Sequence, residues 1–197
     1  MDEQGVDVAV DIRQVGQEPG DSVTEELSAG RQSRGAALSR KAFFDRVVVR
    51  VRGSVSSELR SFQARAHGHL LKVHFDNERV HFEVWPNSHR GTIEIGLHFE
   101  DGPTSTTAYL QFFDARIVEL KHRLGAEVEL ERWTASWGHF FYLLPLEPLD
   151  AAKANQTAGL LASLIGVLQP LVQEASVPRE RVDEPTERRR FRRRAGS

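Results

Sequence analysis

Between Leu70 and Phe99 the chain alternates apolar and polar residues in three short runs separated by turn-forming residues, a two-residue period that predicts an antiparallel meander. Val73 and Phe75, then Val80, Phe82 and Val84, then Ile93, Ile95, Leu97 and Phe99 share one face, which must be the core. The other face carries Lys72, His74, His81, Glu83, Trp85, Glu94 and His98. A two-residue turn at Asn77-Glu78 sets Asp76 opposite Arg79, Phe75 opposite Val80, His74 opposite His81, Val73 opposite Phe82 and Lys72 opposite Glu83, so every pair matches in character. A slip of one residue would put Val73 and Phe82 on opposite faces, so the pattern specifies the register. The second turn, across Pro86 to Gly91, is longer and leaves its register open.

On both sides of the meander the period changes to that of a helix. Ser39 is placed to cap a first helix whose stripe is Phe43, Val47, Val51, Val55, Leu59 and Phe62. Gly53 and the β-branched run Val47-Val48-Val49 argue for a strand, but the four-residue spacing on either side decides for helix. After Asp101-Gly102-Pro103, the stripe Tyr109, Phe112, Phe113, Ile117, Leu120 and Leu124 predicts one second helix stopped by Gly125. Two strands follow, Glu127 to Trp133 and His139 to Leu144, and then a last helix opened by Pro148 and Asp150. Its stripe, from Leu160 to Val172, is too broad for one buried side and suggests a central position or a pairing with another subunit, and Pro170 should kink or end it. The predicted fold is α+β, with an antiparallel sheet of about five strands in the order α-βββ-α-ββ-α and helices packed on one face.

Composition adds two arms to this body. At 197 residues, 40% hydrophobic and 27% charged, the chain fits one globular domain able to bury about two-thirds of its unfolded surface. The net charge of -2 divides into 8 acids and 3 bases over residues 1–37, 16 and 15 over 38–176, and 4 and 8 over 177–197, that is, -5, -1 and +4. The reading is an acidic flexible arm with a short strand pattern at 6–13, a single α+β domain over 38–176, and a disordered basic tail. With no cysteine, disulfides, zinc-thiolate sites and thiol nucleophiles are excluded. Met1 to Gly20 lacks the basic and apolar regions of a signal peptide, and no apolar run of 18 residues occurs, so a cytoplasmic location without a membrane span is expected.

The element order over Ser39 to Ala175 resembles that of the type III secretion chaperones and related bacterial sensor-like domains. That resemblance implies a dimeric, acidic, non-enzymatic protein that holds extended client segments, and here the neutral body and Arg-rich tail depart from the pattern. Ile93-Glu-Ile-Gly-Leu-His-Phe-Glu100 and Val128-Glu-Leu-Glu-Arg-Trp133 also look like an uncharacterised bacterial α+β family.

Three groups of residues are candidates for chemistry. His74, His81, Glu83, Trp85, Glu94 and His98 form a candidate binding face. Imidazoles with carboxylates are ligand chemistry for zinc, but no His-Glu-x-x-His spacing is present, and such a stripe on an antiparallel sheet is ordinarily a solvated face with cross-strand pairs. His74 facing His81 makes double protonation unfavourable, so one of them should titrate below the ordinary ~6.5. Trp85, Trp133 and Trp137 are read first as core and second as a groove wall. Ser136 lacks a nucleophile elbow, and there is no phosphate-binding glycine loop. In the tail, Arg188, Arg189, Arg190, Arg192, Arg193 and Arg194 surround Phe191, a composition suited to polyanions. The expectation is a protein-binding adaptor, dimeric through its last helix, with no metal or cofactor. The alternative is a nucleic-acid accessory protein acting through the tail.

Overall fold

The computed structural model describes residues 36–175 and Val177. The chain divides into Met1–Arg34 and Gly35–Ser197, and the latter contains every described element. The strand pattern at 6–13, the acidic arm and the Arg-rich tail lie outside the described residues. The elements are α1 (Arg40–Ser54), β1 (Gln63–His67), β2 (Leu70–His74), β3 (Val80–Asn87), β4 (Thr92–Phe99), α2 (Pro103–Asp114), α3 (Ile117–Leu124), β5 (Glu129–Arg132), β6 (Gly138–Pro145) and α4 (Ala151–Ala175). The six strands form one antiparallel sheet in the order β1-β2-β3-β4-β6-β5.

The register read from the sequence is the register of the sheet: Lys72 faces Glu83, Val73 faces Phe82 and His74 faces His81. The turn is longer than two residues, because the Asn77 side chain accepts from the Arg79 N–H and its carbonyl accepts from the Val80 N–H, which folds 75–79 into a five-residue loop. The second turn is shorter than expected. Asn87 pairs with Thr92, and the Asn87 side-chain oxygen accepts from the His89 and Arg90 N–H groups.

Ser39 does cap α1, accepting from the Ala42 N–H at 3.2 Å. The helix ends at Ser54 rather than reaching Phe62. Gly53 carries the entropic cost of glycine in a helix, the Ser54 hydroxyl donates back to the Arg50 carbonyl, and Val55 is extended. Val55 and Phe62 are nevertheless buried, because the Arg52 guanidinium donates to the carbonyls of Arg60 and Phe62 and pulls the following loop back onto the core. Residues 63–67, whose alternation of Ala64 and Ala66 with polar residues offers no large apolar side chain, form the exposed edge strand β1, giving six strands where about five were expected.

The second helix is two. Its stripe runs straight across the break, but Arg116 lies over the Phe112 ring at 3.8 Å and donates to the Phe112 carbonyl, stopping α2 before α3 begins. Gly125, at φ 112°, ends α3 as expected. Pro170 does not end α4, which continues to Ala175. The breadth of the α4 stripe is used within the chain, since the helix lies against α1, α2, α3, β3 and β4 and buries Ala154, Ala158, Leu161, Leu164, Ile165 and Leu168. Its exposed side is Asn155, Gly159, Ser163, Gly166 and Pro170. Among the described residues α4 alone is long and apolar enough to cross a membrane by length and composition, with 25 residues and a mean hydropathy of 1.3 over 18.

All helices deliver their buried apolar side chains to one cluster with one face of the sheet, in cross-strand rows such as Val73, Phe82, Leu97 and Phe140. Each such side chain contributes about 1.5–3 kcal/mol by leaving water. Phe99 joins the sheet to α2 by stacking on Tyr109 at 5.1 Å and Phe113 at 5.5 Å. Phe99→Ala is therefore expected to cost about 3–5 kcal/mol in urea unfolding. Val118→Ala, at a side chain 81% exposed, should stay within about 0.5 kcal/mol.

Candidate functional site

The face of the sheet away from the helices carries a row of four histidines. His74 on β2 faces His81 on β3, His81 faces His98 on β4, His98 faces His139 on β6, and His139 faces Glu131 on β5. The row follows from strand alternation plus register: once these residues are cross-strand partners, all must point the same way. It is not a solvated face. His74, His81, Glu83, Glu94, His98 and His139 are all buried, which overturns the ordinary reading of such a stripe.

At its β6 end the layer is covered by aromatic neighbours. The His139 ring stacks on Phe141 at 4.0 Å and on Trp133 at 5.6 Å, and Trp133 lies 6.4 Å from Trp85 and 6.0 Å from Trp137. His81 and His98 stack at 5.6 Å. Trp133 and Trp137, read from the sequence first as core, are instead exposed, because the polar row beneath them takes the buried positions.

Within the layer, charges are paired at short range. Lys72 Nζ lies 3.3 Å from Glu100 and 3.8 Å from Glu83, and His81 Nε2 lies 3.4 Å from Glu83. Glu94 Oε1 lies 3.2 Å from His98 Nε2 and 3.0 Å from His139 Nδ1. Glu94 and His98 are four residues apart on one strand, about 13 Å along its axis, and they meet because Gly96 between them has no side chain. A Cβ at Gly96 would stand 2.7 Å from Phe141 Cβ and 2.9 Å from the Phe140 carbonyl oxygen. Glycine here thus serves both the close approach of β6 and the reach of Glu94.

Burial lowers the His81 pKa, aided by the charges of Lys72 and His98, against the pull of Glu83 and Glu100. The histidine acting on it is His98, not the His74 singled out in the sequence. Burial alone would raise Glu94, but the His139 and His98 rings more than offset it and hold the carboxyl at about 2. Burial would raise Glu83 as well, but the His81 hydrogen bond and the charges of His98, His81 and Lys72 outweigh it and lower the carboxyl. Four buried ring nitrogens, His74 Nε2, His81 Nδ1, His98 Nε2 and His139 Nε2, have no aligned hydrogen-bond partner.

Two sets can present converging ligand atoms within 4.8 Å of one another: Glu94, His98 and His139, and His81, His98 and Glu100. Sequence reasoning found His81, Glu94 and His98 but not His139, Glu100 or Glu131. These sets draw on different strands and have no fixed spacing in sequence; the pairing of β4 with β6 assembles the first and that of β3 with β4 the second. At the β1 end of the row an open pocket of about 360 Å³ is lined by Arg65, His67, Lys72, His74, Glu78 and Arg79. Its cations are paired, Arg65 with Glu78, Lys72 with Glu100 and Arg79 with Asp101. The Arg188 to Arg194 cluster is outside the described residues. Among known proteins, no family model, no curated protein and no solved structure matches this chain.

Two measurements test this account. His81 binds fewer protons folded than unfolded, so in chelator-treated protein its stabilising contribution should be complete above ~6.5 and decline as pH falls below it. Glu94, held at about 2 against 4.5, adds stability present above 4.5 and lost as pH falls towards 2. Glu94→Gln should flatten that second, lower window in pH-dependent urea unfolding and leave the first. Separately, Gly96→Ala should destabilise by about 1–3 kcal/mol, since β6 backbone must move to admit the methyl.

Proposed function

We propose that this chain is a non-enzymatic protein-binding module whose docking surface is the sheet face opposite the helices. The observation that carries the reading is the exposure of Trp133, Trp137 and Leu143, at 41%, 44% and 52%, beside Trp85 on an otherwise buried polar layer. Large aromatics are the residues that most often anchor protein interfaces, because they bury much area at little entropic cost. The observed order, a helix, four strands, two helices, two strands and a helix, keeps the succession of helical and strand blocks on which the resemblance to the secretion chaperones rests, and this supports the same reading.

The first partner proposed is a second copy of the chain. A two-fold pairing would lay each aromatic band on its counterpart and cover it in one step. The face is preferred to α4 for this role because the α4 apolar stripe is already buried and its exposed side is small and polar. Sedimentation at about 100 µM, where a dimer of ~10 µM Kd is mostly assembled, should give a dimer. Trp137→Ser with Leu143→Ser should return it to monomer with an unchanged circular dichroism spectrum. Wild-type monomer at that concentration, with no protein partner captured through this face, counts against the proposal.

A second reading rests on the six arginines around Phe191. If they neutralise six phosphates, the log–log salt dependence of DNA or RNA binding should have a slope of about -5, lost on deletion of 188–194. Equal binding by the truncated chain would remove this reading.

A further inference from the structure

The polar layer holds one arrangement that hydrogen bonding accounts for only in part, since the bond between His139 Nδ1 and Glu94 leaves the approach of His98 unexplained. Glu94 Oε1 lies 3.2 Å from His98 Nε2 and 3.0 Å from His139 Nδ1, yet His98 Nε2 is buried without an aligned hydrogen bond. All three residues are at most 5% exposed, and their ligand atoms lie within 4.8 Å of one another. Donors around a tetrahedral ion, with bonds of about 2.0–2.2 Å, stand about 3.3–3.6 Å apart, close to the spacing seen.

The rings are also held in place. His139 is clamped between Phe141 and Trp133, and His98 lies stacked on His81 with its edge to His139 at 5.3 Å. Behind His139, Glu131 Oε2 lies 3.6 Å from the Nε2 that coordination through Nδ1 would leave free, the position from which a carboxylate orients a metal-bound imidazole. Gly96 keeps the space between Glu94 and His98 clear.

We propose that Glu94, His98 and His139 form a binding site for one first-row divalent transition-metal ion, with Glu131 as a positioning residue. Two imidazoles and a carboxylate favour zinc(II) and cobalt(II) over magnesium or calcium, which take oxygen ligands. The site supplies three protein donors and leaves a further position for an outside ligand. His81, His98 and Glu100 form the competing location; their carboxylate is the less buried of the two.

The test uses the full chain, stripped with chelator and dialysed. Zinc(II) is followed by competition with a chromophoric chelator and cobalt(II) by its visible absorption. One equivalent per chain and tetrahedral cobalt bands are expected. Glu94→Gln, His98→Gln and His139→Gln should each weaken binding more than about 100-fold, and Glu131→Gln within the about 10–100-fold range of outer-shell changes. His74→Gln, in the same row but two strands from His98, should bind as wild type. Circular dichroism identifies variants that fail to fold, and the wild-type result stands without them. Folded wild type that takes up neither ion more tightly than about 100 µM overturns the proposal. So does loss of binding in Glu100→Gln with retention in Glu94→Gln, which would move the ion to the competing location.

Discussion

The register that pairs β3 with β4 and β4 with β6 is the constraint on which both faces of this molecule depend. Alternation in a strand gives each residue one of two faces, and register decides which residues of neighbouring strands share it. With His81, His98 and His139 in one row, Phe82, Leu97 and Phe140 are necessarily in the adjacent row on the opposite face, where the helices bury them. A slip of one residue would drive the histidines into the core and expose the phenylalanines. The core thus supplies the energy that holds the histidine row in line, although the row itself contributes little apolar area.

Burying a polar layer is costly unless its charges are paired. Here the pairing is dense: Lys72 with Glu83 and Glu100, His81 with Glu83, and Glu94 with His98 and His139. Low dielectric strengthens these contacts and also makes each ring nitrogen without an aligned hydrogen bond expensive. Four such nitrogens in one layer are a feature that packing alone does not call for. Natural domains retain groups of this kind where they serve recognition or ligation.

The helical side is built differently. α4 lies across the sheet with α1 beside it, and the tie between α2 and the sheet is the aromatic stack of Phe99, Tyr109 and Phe113. The apolar breadth of α4, which in the sequence suggests a central position or a second subunit, is met by neighbours within the chain. The exposed aromatic area is instead on the opposite side of the sheet, around Trp133, Trp137 and Leu143.

From the sequence alone came the α+β class, the core face of the meander, the Ser39 cap, the Gly125 stop and the β2–β3 register, all of which depend on local periods or short turns. The α1 terminus, the break at Arg116 and the passage of α4 through Pro170 did not, because each is decided by side-chain contacts or packing that override local propensity. The site divides in the same way. His74, His81, Glu83, Glu94 and His98 share a face by alternation and were legible from Leu70 to Phe99. Their burial, the sealing by Phe141 and Trp133, and the arrival of His139 beside Glu94 required β6 to pair with β4 across some forty intervening residues. That long-range pairing leaves no mark on the two-residue period of either strand, so tertiary structure alone turned a polar stripe into a buried cluster.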